Sequence, residues 1–154
     1  MTARSAGAAF ATGGLSGAGA TIVMSVVMLG ARRAGLIADS PPERITAAAL
    51  DTVGVRERST PTQDALTMLF HLGFGVSAGA IFGLLYRLAR LPIPPIAQGM
   101  IYGSLVWFVS YGGWVPALGI MPPPTRDEPG RPVVMIIEHW IYGGVLGAIV
   151  GRLT

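Results

Sequence analysis

The two histidines of this chain stand at equivalent places in two similar stretches of sequence. Each is followed by three glycines at four-residue steps: Gly75, Gly79 and Gly83 after His71, and Gly143, Gly147 and Gly151 after His139. A four-residue step keeps positions on one face of a helix, so each series forms a groove with an imidazole at one end. Small residues in such a groove let two helices approach closely. The pattern therefore predicts two equivalent helix-packing faces, which we call the glycine ladders.

Glu138 precedes His139 and adds a carboxylate to the two imidazoles. Three kinds of chemistry are open to such a set inside a membrane. The side chains could bond neighbouring helices together, they could load and release a proton or cation, or the two imidazoles could be the axial ligands of a haem. A closed structural zinc site is disfavoured because a third protein ligand is missing. We take His71, Glu138 and His139 as the candidate intramembrane polar site, with no cofactor required by the sequence.

The composition predicts a membrane protein. Hydrophobic residues make up 51% of the chain and charged residues 12%, and the mean hydropathy is +0.58. Four apolar stretches, at about 6–31, 65–86, 96–118 and 133–150, approach or exceed the ~20 helical residues that cross a bilayer. The sequence thus predicts an all-α polytopic protein, with four transmembrane helices in a single domain over residues 1–154.

A second repeated element shows that the duplication extends beyond the ladders. It has the pattern PPxR and consists of Pro41, Pro42 and Arg44 in the first copy, and Pro123, Pro124 and Arg126 in the second. The two copies are 82 residues apart, whereas the histidines are 68 apart. The chain therefore divides into two repeats, at about 6–90 and 95–154. Each repeat crosses the membrane twice, so both have the same orientation and are related by a pseudo-two-fold axis along the membrane normal.

The first loop is longer than the second by 14 residues, the difference between the two spacings. Ser40 and Glu43 have the spacing of a capping box, Pro41 suits a first helical turn, and Gly54 suits a helix end. We expect a short amphipathic helix at about 41–53 that lies on the membrane surface. Its apolar face would consist of Ile45, Ala48, Ala49 and Val53.

The sequence leaves open what the glycine ladders contact. They could pack on each other at the pseudo-axis. They could pack on the first and third stretches, of which the first carries small residues at Gly13, Gly17, Thr21 and Ser25. They could also pack on a second copy of the protein.

The third apolar stretch is predicted to be irregular, since it carries Gly112, Gly113 and Pro116 near its end. Three aromatic residues lie around this break: Trp107, Tyr111 and Trp114. They could form an interfacial aromatic belt, or they could form a wall for a bound lipid, quinone or pigment.

Several function classes have little support in this sequence. There is no cysteine, which excludes disulfides and thiol chemistry, and no catalytic or phosphate-binding motif is present. The net charge of +3 is spread over loops, which disfavours nucleic-acid binding. We expect a non-enzymatic accessory or assembly subunit whose partners are the lipid bilayer and other membrane proteins or itself. The alternatives are a small transporter or proton-coupled carrier, and a haem-binding subunit.

The segment PALGIMPP at 116–123, followed by MIIEHW at 135–140, resembles the YagU-like inner-membrane proteins. That family has a Gly-Leu-Thr-Pro-Pro segment before a final span that carries an acidic residue and a His-Leu-Val-Trp-type stretch. The resemblance is specific over about 116–142, and the acid and the histidine are adjacent only in this chain. It implies a bacterial inner membrane with cytoplasmic termini. The arginine distribution, four on the terminal side and seven on the loop side, favours cytoplasmic loops instead.

Overall fold

The computed structural model describes residues 3–37, 40–55, 59–89 and 91–154, and within these ranges the regular structure is helical. The helices are α1 (Ala3–Arg33), α2 (Pro41–Thr52), α3 (Thr60–Ala89), α4 (Pro95–Val109), α5 (Val115–Ala117) and α6 (Arg131–Leu153). Three of them, α1, α3 and α6, are long and apolar enough to cross a membrane. All four predicted apolar stretches are helical, which confirms the all-α class.

The third apolar stretch has the irregularity that its sequence predicts. A π-helical turn, Ser110–Trp114, connects α4 to α5 and contains both Gly112 and Gly113. A π turn widens the helix and leaves carbonyl groups without their usual partners. The Ser110 hydroxyl donates to the carbonyl oxygen of Val106 at 2.7 Å, so a side chain satisfies part of this altered backbone.

The ends of α1 and α5 share one capping motif. Gly35 and Gly119 have φ of +72° and +70°, a conformation that favours glycine. The residue after each glycine donates its N–H to a carbonyl five residues back: Leu36 to Ala31 at 3.0 Å, and Ile120 to Val115 at 3.1 Å. These are Schellman motifs, which satisfy carbonyls at a helix C-terminus. Each turns the chain sharply out of its helix on the side where α3 and α6 begin.

The glycine ladders pack within the chain, on the helices formed by the first and third apolar stretches. A Cβ added at Gly79 of α3 would lie 2.5 Å from the carbonyl oxygen of Gly13 on α1, and one at Gly143 of α6 would lie 2.0 Å from that of Gly99 on α4. Both approaches are closer than any side chain allows. Of the three possible partners that the sequence left open for the ladders, the structure therefore shows the helices of the first and third apolar stretches. α1 also packs along α6, so the two antiparallel pairs form one bundle.

Two apolar clusters divide the interior of the bundle along its length. The cluster towards the chain termini is built from α1, α3 and α6, and contains Ala20, Met24, Ala78, Phe82, Tyr142, Leu146 and Val150. The cluster towards the loops contains Tyr111, Val115, Met121 and Met135. The space between these two clusters is the candidate functional site.

The short helix α2 begins at Pro41, as predicted, and its Ser40–Glu43 capping box is present. Its buried residues are Pro41, Thr46 and Leu50, which differ from the apolar face expected from the sequence. Val53 lies just after the helix and is largely exposed. The difference arises because α2 packs against α3, so protein contacts select its buried face. Gly54 follows the helix with φ +80°, as its position suggested.

Candidate ligand-binding cavity

One face of α6 carries two polar residues of the site, Glu138 and His139. Met135, Glu138, His139 and Tyr142 are all buried, and their spacing of three and four residues places them along one side of the helix. Glu138 is only 2% exposed and His139 only 8%. The His139 Nδ1 atom lies 2.7 Å from the Met135 carbonyl oxygen. Because a carbonyl only accepts, Nδ1 carries the hydrogen, which leaves Nε2 of the neutral ring as an acceptor.

His71 reaches the same site from α3. Its Nδ1 atom lies 3.3 Å from the Ser25 hydroxyl on α1. His71, Glu138 and His139 all line one cavity, so the structure brings the three candidate residues together. Both imidazoles therefore face the interior of the bundle, although α3 and α6 do not meet through their glycine ladders.

The cavity has a volume of about 240 Å³. Most of its wall is apolar and consists of methionine and aromatic side chains from α1, α3, α6 and the segment after α4. These are Met24, Met28, Phe70, Phe74, Tyr111, Trp114, Met121 and Met135. Methionine and aromatic side chains suit ligands of varied shape. Tyr111 and Trp114, two of the three aromatics singled out in the sequence, lie within the π turn and form part of the cavity wall.

Two buried polar atoms in this wall lack a partner in the described part of the chain. They are Oε1 of Glu138 and Oγ1 of Thr46, and both residues line the cavity. An unsatisfied buried polar atom costs about 1–3 kcal/mol, and more when it is charged. Native proteins seldom retain such atoms without a bound water, ion or ligand. The cavity therefore has a polar end that is unsatisfied in the isolated chain.

The cavity wall that α3 forms is partly open to the outside of the bundle. Phe70 and Phe74 line the cavity, yet they are 42% and 45% exposed. α3 approaches α4 much less closely than it approaches α1. Nearer the termini this gap is closed, since the Tyr102 hydroxyl donates to the Ala78 carbonyl at 2.7 Å and its ring packs 5.2 Å from that of Phe82. An apolar molecule could enter beside Phe70 and Phe74.

The loop-side end of the cavity is held by a buried ionic network. The Arg131 guanidinium is 2% exposed and donates to Asp127 at 2.7 Å and to Glu128 at 2.8 Å. The Tyr111 hydroxyl donates to the other oxygen of Asp127. This network ties the π turn to the start of α6 and thereby positions the Tyr111 ring. The acids three and four residues before Arg131 were a signal for its ion pairs, but no sequence pattern indicated the bond to Tyr111.

The two PPxR elements occupy different environments. Pro41 and Pro42 begin α2 and line the cavity. Pro123 lies in a turn, where its carbonyl accepts the N–H of Arg126 at 2.9 Å, and Pro124 is half-buried. The side chain of Arg126 is exposed, whereas Arg44 is half-buried. The sequence similarity between these elements thus does not extend to a shared role at the cavity.

A metal ion has no ready set of ligands here. Within the described ranges, no group of three or more histidine, cysteine, aspartate or glutamate side chains is arranged to hold one. The polar end of the cavity is therefore better suited to hydrogen bonding than to metal coordination.

Comparison with models of protein families identifies the family of this chain. A family model, described as a family of unknown function (DUF6789), matches residues 7–154. The chain belongs to the DUF6789 family. Comparison with curated proteins and with solved structures found no match. The resemblance of 116–142 to YagU-like proteins stays a prediction, and the membership in DUF6789 carries no activity with it.

Proposed function

We propose that this DUF6789 protein is a non-enzymatic membrane protein that holds a lipid-soluble molecule with a hydroxyl head group in the cavity between its two apolar clusters. The observation that carries the proposal is the Glu138 Oε1 atom, which has no partner among the described residues and lies in an otherwise largely apolar wall. In its ionised form the Glu138 carboxylate only accepts hydrogen bonds, so the proposal calls for a donor on the ligand. Pockets that are mostly apolar, with a few convergent polar groups, are typical of small-molecule sites.

A hydroxyl head group fits this polar end for a second reason. It can donate to Glu138 and, through its oxygen, accept from a ring nitrogen of His71 or from the Thr46 hydroxyl, which also lacks a partner in the described residues. Alcohols, phenols and quinols have this dual capacity. The apolar part of the molecule would lie against the methionines and aromatics and extend past Phe70 and Phe74 towards the acyl chains.

The proposal includes four membrane crossings. α1, α3 and α6 are long enough on their own, and the fourth would be α4 continued through the π turn and α5. The continuous segment from Pro95 to Ala117 would span about 35 Å at ~1.5 Å per residue, enough for the roughly 30 Å hydrocarbon core. The freed backbone of the π turn is covered by Ser110 and by packing of Tyr111, as a membrane setting requires.

The two antiparallel helix pairs support two parallel repeats. Gly17 of α1 would place a Cβ 2.3 Å from the Gly75 carbonyl oxygen, and Gly99 of α4 would place one 1.9 Å from that of Gly143. Gly17 and Gly99 are 82 residues apart, and Gly75 and Gly143 are 68 apart. These are the offsets of the PPxR elements and of the histidines. The helix contacts thus follow the register of the sequence repeat.

The observations favour ligand binding in the cavity over the accessory-subunit role that the ladders led us to expect. That role relied on glycine faces as contact surfaces for other subunits. Within this chain, each ladder is occupied by α1 or α4. A bacterial inner membrane with cytoplasmic termini is proposed from the resemblance at 116–142 alone.

Native-membrane purification tests the proposal. We expect mass spectrometry of organic extracts to find one class of hydroxyl-bearing lipid-soluble molecule enriched with the wild-type protein and lost from Glu138→Leu. Ile137→Leu is the matched control, because Ile137 is the preceding residue on α6 and is exposed on the outside. Equal recovery from wild type and Glu138→Leu would contradict the proposal. A Soret band in the purified protein would favour the haem alternative instead.

A further inference from the structure

A second opening lies on the loop side of the bundle, between α1, α2 and α3. It is a crevice of about 290 Å³ with seven polar residues among its eleven lining residues. They are Ser25 and Arg32 of α1, Ser40 and Glu43 at the start of α2, and Asp64, Thr67 and His71 of α3. The crevice and the ligand cavity share three wall residues: Met28, Pro42 and His71. Among these, His71 is the one that can carry a proton.

The crevice has the properties of a water site. Its volume far exceeds the roughly 10–15 Å³ that one water needs on this measure. The Thr67 hydroxyl oxygen is buried and has no partner among the described residues. The Ser25 hydroxyl, 3.3 Å from His71 Nδ1, offers a further polar contact. Water needs two to four such partners to remain ordered.

Charged groups surround the mouth of the crevice. Arg32 of α1 and Glu43 of α2 form an ion pair, and Asp64 lies near the start of α3. The groups that face His71 on the other side are Glu138 and His139 of α6, across the ligand cavity. His71 therefore lies between the crevice, whose lining includes Arg32, Glu43 and Asp64, and the ligand cavity.

We infer that the crevice admits water and protons from the loop side to His71, and that it thereby couples the polar end of the cavity to loop-side pH. A proton moves from crevice water to a ring nitrogen of His71. It leaves either by the same route or to the Glu138 carboxylate across the cavity. The step involves proton transfer alone, so no oxidant or reductant is needed. This inference goes beyond ligand binding and holds for the empty protein as well.

Deuterium exchange at the histidine C2 position tests it. The chain has two histidines, so mass spectrometry of peptides resolves both in the full protein in lipid nanodiscs. We expect His71 to exchange several-fold faster than His139, with a sigmoidal dependence on pD. A Thr67→Phe variant fills the crevice and should slow His71 several-fold while His139 is unchanged. The matched variant Thr67→Val has nearly the volume of the wild type and should leave the space open.

Ser25→Leu obstructs the same crevice from α1 and serves if Thr67→Phe does not fold. Equal protection of His71 and His139 in the wild type would overturn the inference, as would unchanged exchange at His71 in a folded filling variant. The measurement uses protein without added ligand. Its failure is therefore distinguishable from failure of the proposed binding function, which Glu138→Leu tests separately.

Discussion

At the scale of single residues, Glu138 is the feature that most needs an explanation. A carboxylate that is 2% exposed, with one oxygen lacking a partner in the described chain, lowers the stability of any fold. Intramembrane ionisable residues are costly and mark functional sites by default. A purely structural Glu138 would instead be expected to have its hydrogen-bonding capacity satisfied within the bundle.

A ligand-binding role and a purely structural role of Glu138 predict opposite effects of one substitution on the free energy of unfolding. Glu138→Leu replaces an unsatisfied polar group by an apolar one of similar size, so we expect the free energy of unfolding of the ligand-free protein to rise by about 1–3 kcal/mol. Thermal unfolding in a single detergent measures this. Ile137→Leu should unfold close to wild type. A destabilised Glu138→Leu would show that the carboxylate holds the bundle together and that the cavity needs another explanation.

The sequence indicated the residues of the site but not their surroundings. The ladders singled out His71 and His139, and the position of Glu138 beside His139 added the carboxylate. Nothing in the sequence indicated that Thr46 of the short helix would join them, because that contact depends on how α2 docks. The bond from Tyr111 to Asp127 joins residues 16 positions apart through a π turn whose geometry no sequence pattern specifies.

At the scale of elements, the close helix pairs explain why glycine is needed at particular positions and not at their neighbours. A Cβ at Gly147 would lie 2.1 Å from the Pro95 carbonyl oxygen, whereas one at Gly144 would be 3.7 Å from the nearest atom, a side-chain carbon of Met100. A backbone oxygen cannot move away without displacing α4. The two glycines therefore differ in what they tolerate although they are three residues apart.

Alanine substitutions separate these two positions. Gly147→Ala should lower the free energy of unfolding by about 1–3 kcal/mol, the usual cost of overpacking, and by an amount towards the upper end of that range. Gly144→Ala should be neutral or slightly stabilising, because alanine favours a helix over glycine by about 0.8–1 kcal/mol. Thermal unfolding of both variants in one detergent provides the comparison. Equal effects at the two positions would mean that α4 and α6 do not pack as described.

The segment after α4 lies where the two proposed repeats differ in length. The capping Gly35 lies 18 positions after Gly17, whereas the capping Gly119 lies 20 positions after Gly99. The π-helical turn lies in the longer interval. The helices themselves were predictable from hydrophobicity and length. The π turn and the choice of partner for each ladder were not, because both depend on packing between distant segments.

At the scale of the whole molecule, the proposed arrangement of two parallel repeats would fix which loops share a side of the membrane. Cysteines placed at Ser59 and Thr125, in the cysteine-free chain, should react with an impermeant reagent from the same side. A cysteine at Thr154 should react from the opposite side. Labelling of Thr154 together with the two loops would exclude the proposed topology. The side on which Ser59 reacts also decides between cytoplasmic loops and cytoplasmic termini.

In the proposed function, Glu138 receives a hydrogen bond from the head of a lipid-soluble ligand. Trp114 lines the cavity, so its fluorescence reports occupancy, and Trp114→Phe identifies its share of the signal. The direct measurement is the affinity of dodecan-1-ol and of dodecyl methyl ether, which lacks the donor, for wild type and Glu138→Leu. We expect the ether to bind wild type about tenfold more weakly, which corresponds to ~1.4 kcal/mol, and Glu138→Leu to bind both probes equally. The same preference for the alcohol in wild type and Glu138→Leu would contradict the account.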